Sequence, residues 1–328
     1  MTSLVTGANG FVGSAVTRQL LDAGHTVRVL VRPGSDRRNI EQMAVEVYEG
    51  DLRKPSSLIP AIRGCTHLFH VAADYRLWIP DPDKMYETNV TGTRDLLIAA
   101  ADAGIEHIIY TSSVATLGYN PDSSPADETT PSSLEDMIGH YKRSKFLAEE
   151  AVQELIKQMK LPVVIVNPST PVGPRDIKPT PTGRIILDTL RGQMPAYVDT
   201  GLNIVHVDDV AQGHILAMKH GRIGERYILG GENLSLLTIL QIIDELTEKP
   251  VKRIRLPHQV VLPVAWMMER VAAITGSEPR ATVDSVRMAK KLMFFSSDKA
   301  VQELGYRYRP AREALADAIT WFQSNGYC

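Results

Sequence analysis

Cysteine is nearly missing from this chain: 328 residues contain only Cys65 and Cys328, far apart and in no metal-ligand spacing. A disulfide scaffold is excluded, and the expected setting is a reducing cytoplasm with no metal site. Long apolar runs are missing too. The longest, Val260 to Met268, falls far short of the roughly 20 residues a membrane-spanning helix needs. No basic stretch leads into an apolar one at the N-terminus, so no signal peptide is expected. Nor is there an excess of charge of one sign. Lysines and arginines number 36 against 38 aspartates and glutamates, and a net charge of −2 gives no positive field for holding nucleic acid.

What is present is an ordinary globular balance, with 44% apolar and 23% charged residues, which argues against disorder, collagen and coiled coil. At roughly 150 residues per domain, the length suggests two domains, or one α/β domain with an added lobe. The first half alternates short apolar runs with amphipathic stretches. Ser3 to Thr6, Thr26 to Val31, Val45 to Glu49, His67 to Val71, His107 to Thr111 and Val163 to Asn167 read as strands. Gly13 to Ala23, Pro55 to Ile62, Tyr86 to Ala103 and Tyr141 to Met159 read as helices. Such alternation implies right-handed crossovers and a doubly wound, mostly parallel α/β sheet covered on both faces.

Past residue 168 the pattern loosens, with Pro168, Pro171, Gly173, Pro174, Pro179, Pro181 and Gly183 close together. Leu236 to Thr247, Val260 to Thr275, Thr282 to Leu292 and Arg312 to Asn325 read as helices; Asn203 to Val207 and Tyr227 to Leu229 read as strands. Residues 1–168 are therefore expected to form a dinucleotide-binding domain, and 169–328 mainly a substrate-binding lobe from which about 203–225 returns to the first domain. Asp122 to Ser133, rich in Ser, Thr, Pro and acid, reads as an exposed loop.

The opening Thr6-Gly7-Ala8-Asn9-Gly10-Phe11-Val12-Gly13 sets three glycines between the first strand and the first helix. Gly7 permits a tight turn, Gly10 lets backbone approach a pyrophosphate, and Gly13 lets helix sit close on strand. The phosphates would rest on the free amides at the helix N-terminus. At the end of the second strand, a carboxylate would hold the ribose 2′-hydroxyl of NAD, whereas a 2′-phosphate calls for cations. The chain reads Val31-Arg32-Pro33-Gly34-Ser35-Asp36-Arg37-Arg38 there. Arg32, helped by Ser35 and Arg37, points to NADP; the alternative is NAD, with Asp36 on the ribose. Asp51 and Leu52, just past the third strand, are placed to meet the adenine.

Of the 11 tyrosines, only Tyr141 is followed four residues on by a lysine, Lys145. On a helix that spacing stacks the two side chains on one face. A phenol titrates near 10, and bringing it to ~7 would take about 4 kcal/mol of differential interaction. Lys145 and a bound oxidised nicotinamide would act together on it. Thr111-Ser112-Ser113 follows the strand at the sheet's C-terminal edge, and Ser113 could donate a hydrogen bond to the substrate oxygen. A plain surface pair and a capping serine are the bland readings of the same residues.

In their order and spacing TGANGFVG, GDL, HVAA, ETNVTGT, YTSSVATLG, YKRSK, NPSTPVGPRD and VHVDDVA resemble the extended short-chain dehydrogenase/reductase family over nearly the whole chain. The closest likeness is to its branch of dihydroflavonol 4-reductases and bacterial hopanoid-associated sugar epimerase-like proteins. The resemblance implies Tyr141 as acid/base, Lys145 on the nicotinamide ribose, Ser113 orienting substrate and Asn89 supporting the site. It also places Val71, Ala72, Ala73, Thr111, Pro168, Ser169 and Thr170 around the cofactor, and implies a homodimer. Family dehydratases carry an Asp-Glu pair after the serine; here Val114-Ala115-Thr116-Leu117-Gly118 stands instead, which disfavours sugar dehydration. Asn167-Pro168-Ser169 in place of the RxxN of nucleotide-sugar enzymes weakens that substrate class.

Three functions are weighed: an NADP-dependent carbonyl reductase, an epimerase that retains its cofactor, and a non-catalytic NADP-gated binding protein. The stretch Leu256 to Glu278, with Val260, Val261, Leu262, Trp266, Met267 and Met268, could wall an apolar substrate or touch a membrane surface, or else be the core side of a lobe helix. His206, Asp208, Arg175 and Asp176 are further candidates for the cleft or for packing.

Overall fold

The computed structural model describes residues 1–276, 279 and 281–328. The first half runs β1 (Thr2–Thr6), α1 (Phe11–Asp22), β2 (Thr26–Val31), β3 (Val45–Glu49), α2 (Ile59–Ile62), β4 (His67–His70), α3 (Asp83–Tyr86), α4 (Gly92–Asp102), β5 (His107–Thr111), α5 (Gly139–Met159) and β6 (Val163–Pro168). The chain continues through β7 (Thr170–Val172), α6 (Pro181–Leu190), β8 (Ala196–Tyr197), β9 (Gly201–His206), α7 (Val207–His220) and β10 (Arg226–Leu229). It ends with β11 (Glu232–Ser235), α8 (Leu236–Thr247), β12 (Ile254–Arg255), α9 (His258–Thr275), α10 (Val283–Met288), β13 (Leu292–Met293), α11 (Asp298–Leu304) and α12 (Ala311–Ser324).

Seven strands form one sheet in the order β3-β2-β1-β4-β5-β6-β10, every neighbouring pair parallel. The order turns round between β1 and β4, which opens a crevice at the C-terminal edge where such sheets take ligands. Side chains alternate between two cores, as the pleat demands. Val5, Phe69, Ile109 and Val166 meet α1, α7 and α11 on one face. Leu4, Leu68, Ile108 and Ile165 meet α2, α4 and α5 on the other. Each of these fully buried side chains is worth roughly 1.5–3 kcal/mol of transfer free energy, so the sheet is fixed from both sides.

A smaller sheet is built on β9, with β11 antiparallel on one side and β7 and β13 parallel on the other. It packs on α6, α8 and α12 around Ile186, Ile204, Ile243 and Leu315. The chain returns to the large sheet at α7, then adds β10 as an edge strand and α11 as cover, so the return runs on past residue 225.

Several local expectations are revised. The helix read over Tyr86 to Ala103 contains a π-helical turn, Glu87–Thr91. The one read over Thr282 to Leu292 stops at Met288, because Leu292 and Met293 pair with Gly201 and Leu202. Asp122 to Ser133 is not simply exposed. Ala126 is buried against Phe295, and Glu128 turns inward to accept a 2.7 Å hydrogen bond from the Ile228 amide. Of the apolar stretch Leu256 to Glu278, the residues Ser277 and Glu278 lie outside those described.

Candidate active site

The glycine turn is built by contact. Gly7 has φ +71°, and a Cβ on it would stand 2.8 Å from the Ala72 backbone; one on Gly13 would stand 2.1 Å from the Gly7 carbonyl oxygen. Bare backbone is therefore required at both positions, and the turn is pressed against the Val71-Ala72-Ala73 segment that follows β4. The Ala72 amide donates to Thr6 Oγ1 at 3.2 Å. Gly10 opens α1 with no side chain capping it. Phe11, Val12 and Gly13 thus sit in a first turn whose amides are directed to the crevice, a cradle suited to an anion. Asn9 donates to the Asp36 carbonyl at 3.0 Å and so ties the turn to the loop beyond β2.

That loop sorts its charges. Asp36 is held by Arg38 through a bidentate pair, and Arg37 is paired with Glu49. Ser35 Oγ donates to the Arg32 carbonyl at 2.7 Å. Arg32 is exposed, with no ion-pair partner among the described residues. It lies near enough to Asp51 and Asp74 to lower both their pKa values. The Asp51 carboxylate is taken by Arg53, which brings it down to about 2, while Leu52 is buried.

The candidate groups gather at the C-terminal ends of β4, β5 and β6. Ser113 is extended and caps the 3₁₀ turn Val114–Thr116, its Oγ accepting from the Ala115 amide at 3.1 Å. The Tyr141 phenol lies near enough for the Ser113 side chain to ease its pKa downward. Lys145, one turn on along α5, is buried and donates to the Thr111 carbonyl at 2.9 Å and the Tyr110 hydroxyl at 3.2 Å. Burial pushes its pKa down to about 8, against the opposing pull of Glu149. The lowering expected of Tyr141 belongs to Lys145 and a bound nicotinamide together; in the protein by itself burial raises the phenol, and the nearby Ser113 side chain only partly offsets it. The Lys145 ammonium meanwhile places its hydrogen bonds on β5.

Asn89 lies in the π turn before α4, buried, where such insertions often re-aim side chains at functional sites. It accepts from the Asp74 amide at 2.7 Å and donates to the Asp74 carbonyl at 2.8 Å and Ser144 Oγ at 3.0 Å. It therefore joins the loop after β4 to the helix that carries Tyr141. Thr111 uses its hydroxyl on His214, at 2.9 Å. Beyond β6, Ser169 Oγ and Asn167 Oδ1 are buried with no hydrogen-bond partner among the described residues; Pro168 closes β6 and Thr170 begins β7.

The remaining candidates are engaged in local ties. His206 caps α7 by accepting from the Asp208 amide and reaches Asp317 at 3.1 Å. Asp208 pairs with Arg175 at 3.0 Å. Asp176 accepts from the amide and hydroxyl of Thr180 at the start of α6, and burial raises its carboxyl to about 6.

The model of the NAD dependent epimerase/dehydratase family matches residues 3–230. A Synechocystis protein provisionally named a dihydroflavonol 4-reductase is 47% identical over 98% of this chain and 95% of its own. Sterol demethylase protein B of Methylococcus capsulatus is 35% identical over 99% of both. The crystal structure of gox2253 superposes with a TM-score of 0.90 at 57% identity over 99% of both chains. A nucleoside-diphosphate-sugar epimerase from Pseudomonas aeruginosa gives 0.80 at 28% over 100% and 99%. The chain belongs to the extended short-chain dehydrogenase/reductase family.

As a member it is an NAD(P)-dependent enzyme with the family's Rossmann core. No helix among the described residues is long and apolar enough to cross a membrane. Sequence reading passed over one group beneath this short-chain dehydrogenase/reductase site. Glu149, buried two turns beyond Tyr141, accepts from Ser112, from Thr116 at 2.9 Å and from Asn167 at 3.0 Å, and pairs with Arg226 at 3.0 Å. One carboxylate thus gathers the ends of β5 and β6 and the start of β10 around Ser113. Its i+4 spacing from Lys145 was the available signal. Lys142 was missed as well: it is buried beside Tyr141, donates to Tyr119 at 2.6 Å and is pushed down to about 8.

Proposed function

We propose that this enzyme reduces a carbonyl of a small-molecule substrate, or runs the reverse oxidation, using NADP, with Tyr141 moving the proton at the reacting oxygen. The observation that carries the reading is the gathering of Ser113, Tyr141 and Lys145 at the C-terminal edge of β5, with Lys145 one helical turn from Tyr141 and donating to the Thr111 carbonyl at 2.9 Å, and the phenol close enough to Ser113 to feel its side chain. A nicotinamide bound here supplies reversible hydride exchange with carbon. The residues present fit such a group: bare backbone at Gly7 and Gly13, a helix start at Phe11 and Val12 that no side chain caps, and the unpartnered Ser169 and Asn167 atoms at the sheet edge. Gly7, Asn9, Gly10 and Gly13 would hold the diphosphate. Val71, Ala72, Ala73, Thr111, Pro168, Ser169 and Thr170 would flank the ring, and Asp51 and Leu52 the adenine.

Tyr141, raised by burial, stays protonated at neutral pH, the form needed to deliver a proton to an oxygen becoming an alcohol. Ser113 donates to the same oxygen as charge develops. Arg32 supports NADP over NAD, because Asp36 and Arg37 are already paired while its guanidinium is open to a 2′-phosphate. The relatives named for reductases point the same way.

The experiment is mass spectrometry of what the denatured protein releases, followed by titration with NADPH and NADH. The expected result is no stoichiometric nucleotide and a preference for NADPH. Arg32→Ser should weaken NADPH by about 10- to 100-fold, the worth of a charge-assisted hydrogen bond, and leave NADH unchanged; equal losses would remove the NADP assignment. A second reading, a sugar epimerase, is favoured by the similarity to the Pseudomonas aeruginosa epimerase. NAD(P) found tightly bound at one per chain would select it.

A further inference from the structure

Helix α9 is apolar on the wrong side. Of its 18 residues only Ala265 and Ala272 are buried. It is fastened to α10 by polar ties, Glu269 accepting from the Val283 amide at 2.8 Å and the His258 ring meeting the Ala289 carbonyl at 3.2 Å. Opposite these contacts Val260, Val264, Met267, Val271 and Ile274 recur at helical spacing and are between 45% and 87% exposed. Among the described residues, nine of the nineteen exposed large apolar side chains lie within 251–274. Scattered exposed apolar residues are normal, but a contiguous stripe marks a surface that is covered in use.

Charge says what covers it. In a chain of net charge −2, residues 249–276 hold five lysines and arginines against one carboxylate, Glu269, which is turned to α10. Arg253 and Arg255 are paired with Asp244 and Asp199. Lys249, Lys252 and Arg270 are exposed with no ion pair among the described residues, Arg270 resting over the Trp266 ring at 5.1 Å. Lys290, also exposed, follows the Ala289 carbonyl that meets His258 at the N-terminal end of α9. Two copies set face to face would oppose cation to cation. An anionic surface with an apolar interior complements both features, and an indole at the edge of the stripe suits the headgroup boundary.

We propose that α9 docks this protein on the surface of an anionic phospholipid bilayer, its Val260-to-Ile274 stripe among the acyl chains and Lys249, Lys252, Arg270 and Lys290 at the headgroups. The inference is independent of the catalytic reading, since it needs neither cofactor nor turnover.

The test floats the full chain with vesicles of equal phosphatidylglycerol and phosphatidylcholine, and with vesicles of phosphatidylcholine alone. Flotation with the first and far less with the second is expected, together with a blue shift of tryptophan emission that Trp266→Phe removes. Each lysine reversed in Lys249→Glu/Lys252→Glu should weaken binding by about fivefold or more. Met267→Glu/Val271→Glu, on exposed positions, should abolish flotation and leave thermal melting and NADPH binding unchanged. Wild-type protein that stays unbound with anionic vesicles overturns the proposal, as does undiminished flotation of Met267→Glu/Val271→Glu. So does an oligomer that this double variant dissociates while no vesicle binds, which would give the face to a second copy.

Discussion

Tyr141→Phe is expected to lower kcat by about a thousandfold while NADPH binding changes little. Positioned acid–base groups contribute roughly 10²- to 10⁴-fold, and the phenol beside Ser113 is the group that carries a proton at the sheet edge. Phenylalanine keeps the ring, and the lysine contacts to Thr111 and Tyr110 do not involve Tyr141. The fold and the cofactor cradle should therefore survive. Single-turnover kinetics with saturating NADPH separates chemistry from binding. Ser113→Ala, which removes one donor, should cost less, about a hundredfold. A Tyr141→Phe enzyme that turns over at the wild-type rate would end the acid/base assignment, and with it the mechanism.

Acidification is expected to unfold this protein at a mildly acid pH. His67, His70 and His214 are buried as neutral rings, and burial depresses them to about 4, about 3 and about 4. His70 is held between Thr6 and Thr93 and lies beside the Lys145 ammonium; His214 is held between Thr111 and Val210. In the unfolded chain these rings titrate near 6.5, so between about pH 6.5 and 4 the unfolded state binds more protons. Stability then rises with pH across that window and is lost as pH falls through it. Asp176 and Glu128 have the opposite sign: burial raises both carboxyls, so they recover some stability on acidification, two groups against the three buried rings. At about 1.4 kcal/mol per pKa unit, and allowing for relaxation around a charged ring, the histidines together are worth several kcal/mol. That is a large part of the 5–15 kcal/mol typical of folded proteins. Urea midpoints at pH 7.0, 6.0 and 5.0 should fall steadily. A midpoint unchanged to pH 5 would mean that the rings find their protons at little cost.

Much of the nucleotide-binding half was legible because its signals are local. β5 and β6 are continuous apolar runs bounded by polar residues, the pattern of strands buried on both faces. The glycine spacing and the Tyr141–Lys145 interval each lie within a turn or two of chain. α7 was illegible for a physical reason: β9 ends at His206 and the helix begins at Val207 with no loop, so one apolar stretch crosses a change of period. α6 was masked by its prolines, although Thr180 as cap and Pro181 at the first helical position form a recognised helix start. The carboxylate of Glu149 was passed over because its partners, Ser112, Asn167 and Arg226, come from three separate segments. The pairing of Arg37 with Glu49 joins β3 to the loop after β2 and was equally out of reach of local reading.

The late addition of β10 to the edge of β6 bears on how this molecule can be divided. A fragment cut after Pro168 would keep the glycine turn, Ser113, Tyr141 and Lys145, yet it would bare the backbone edge of β6 and the sheet face that α7 and α11 cover. Unprotected strand edges recruit other chains. Such a fragment would keep those residues without their coat, so a cut at the apparent midpoint is expected to give inclusion bodies, and a piece running on through α11 a protein that stays in solution.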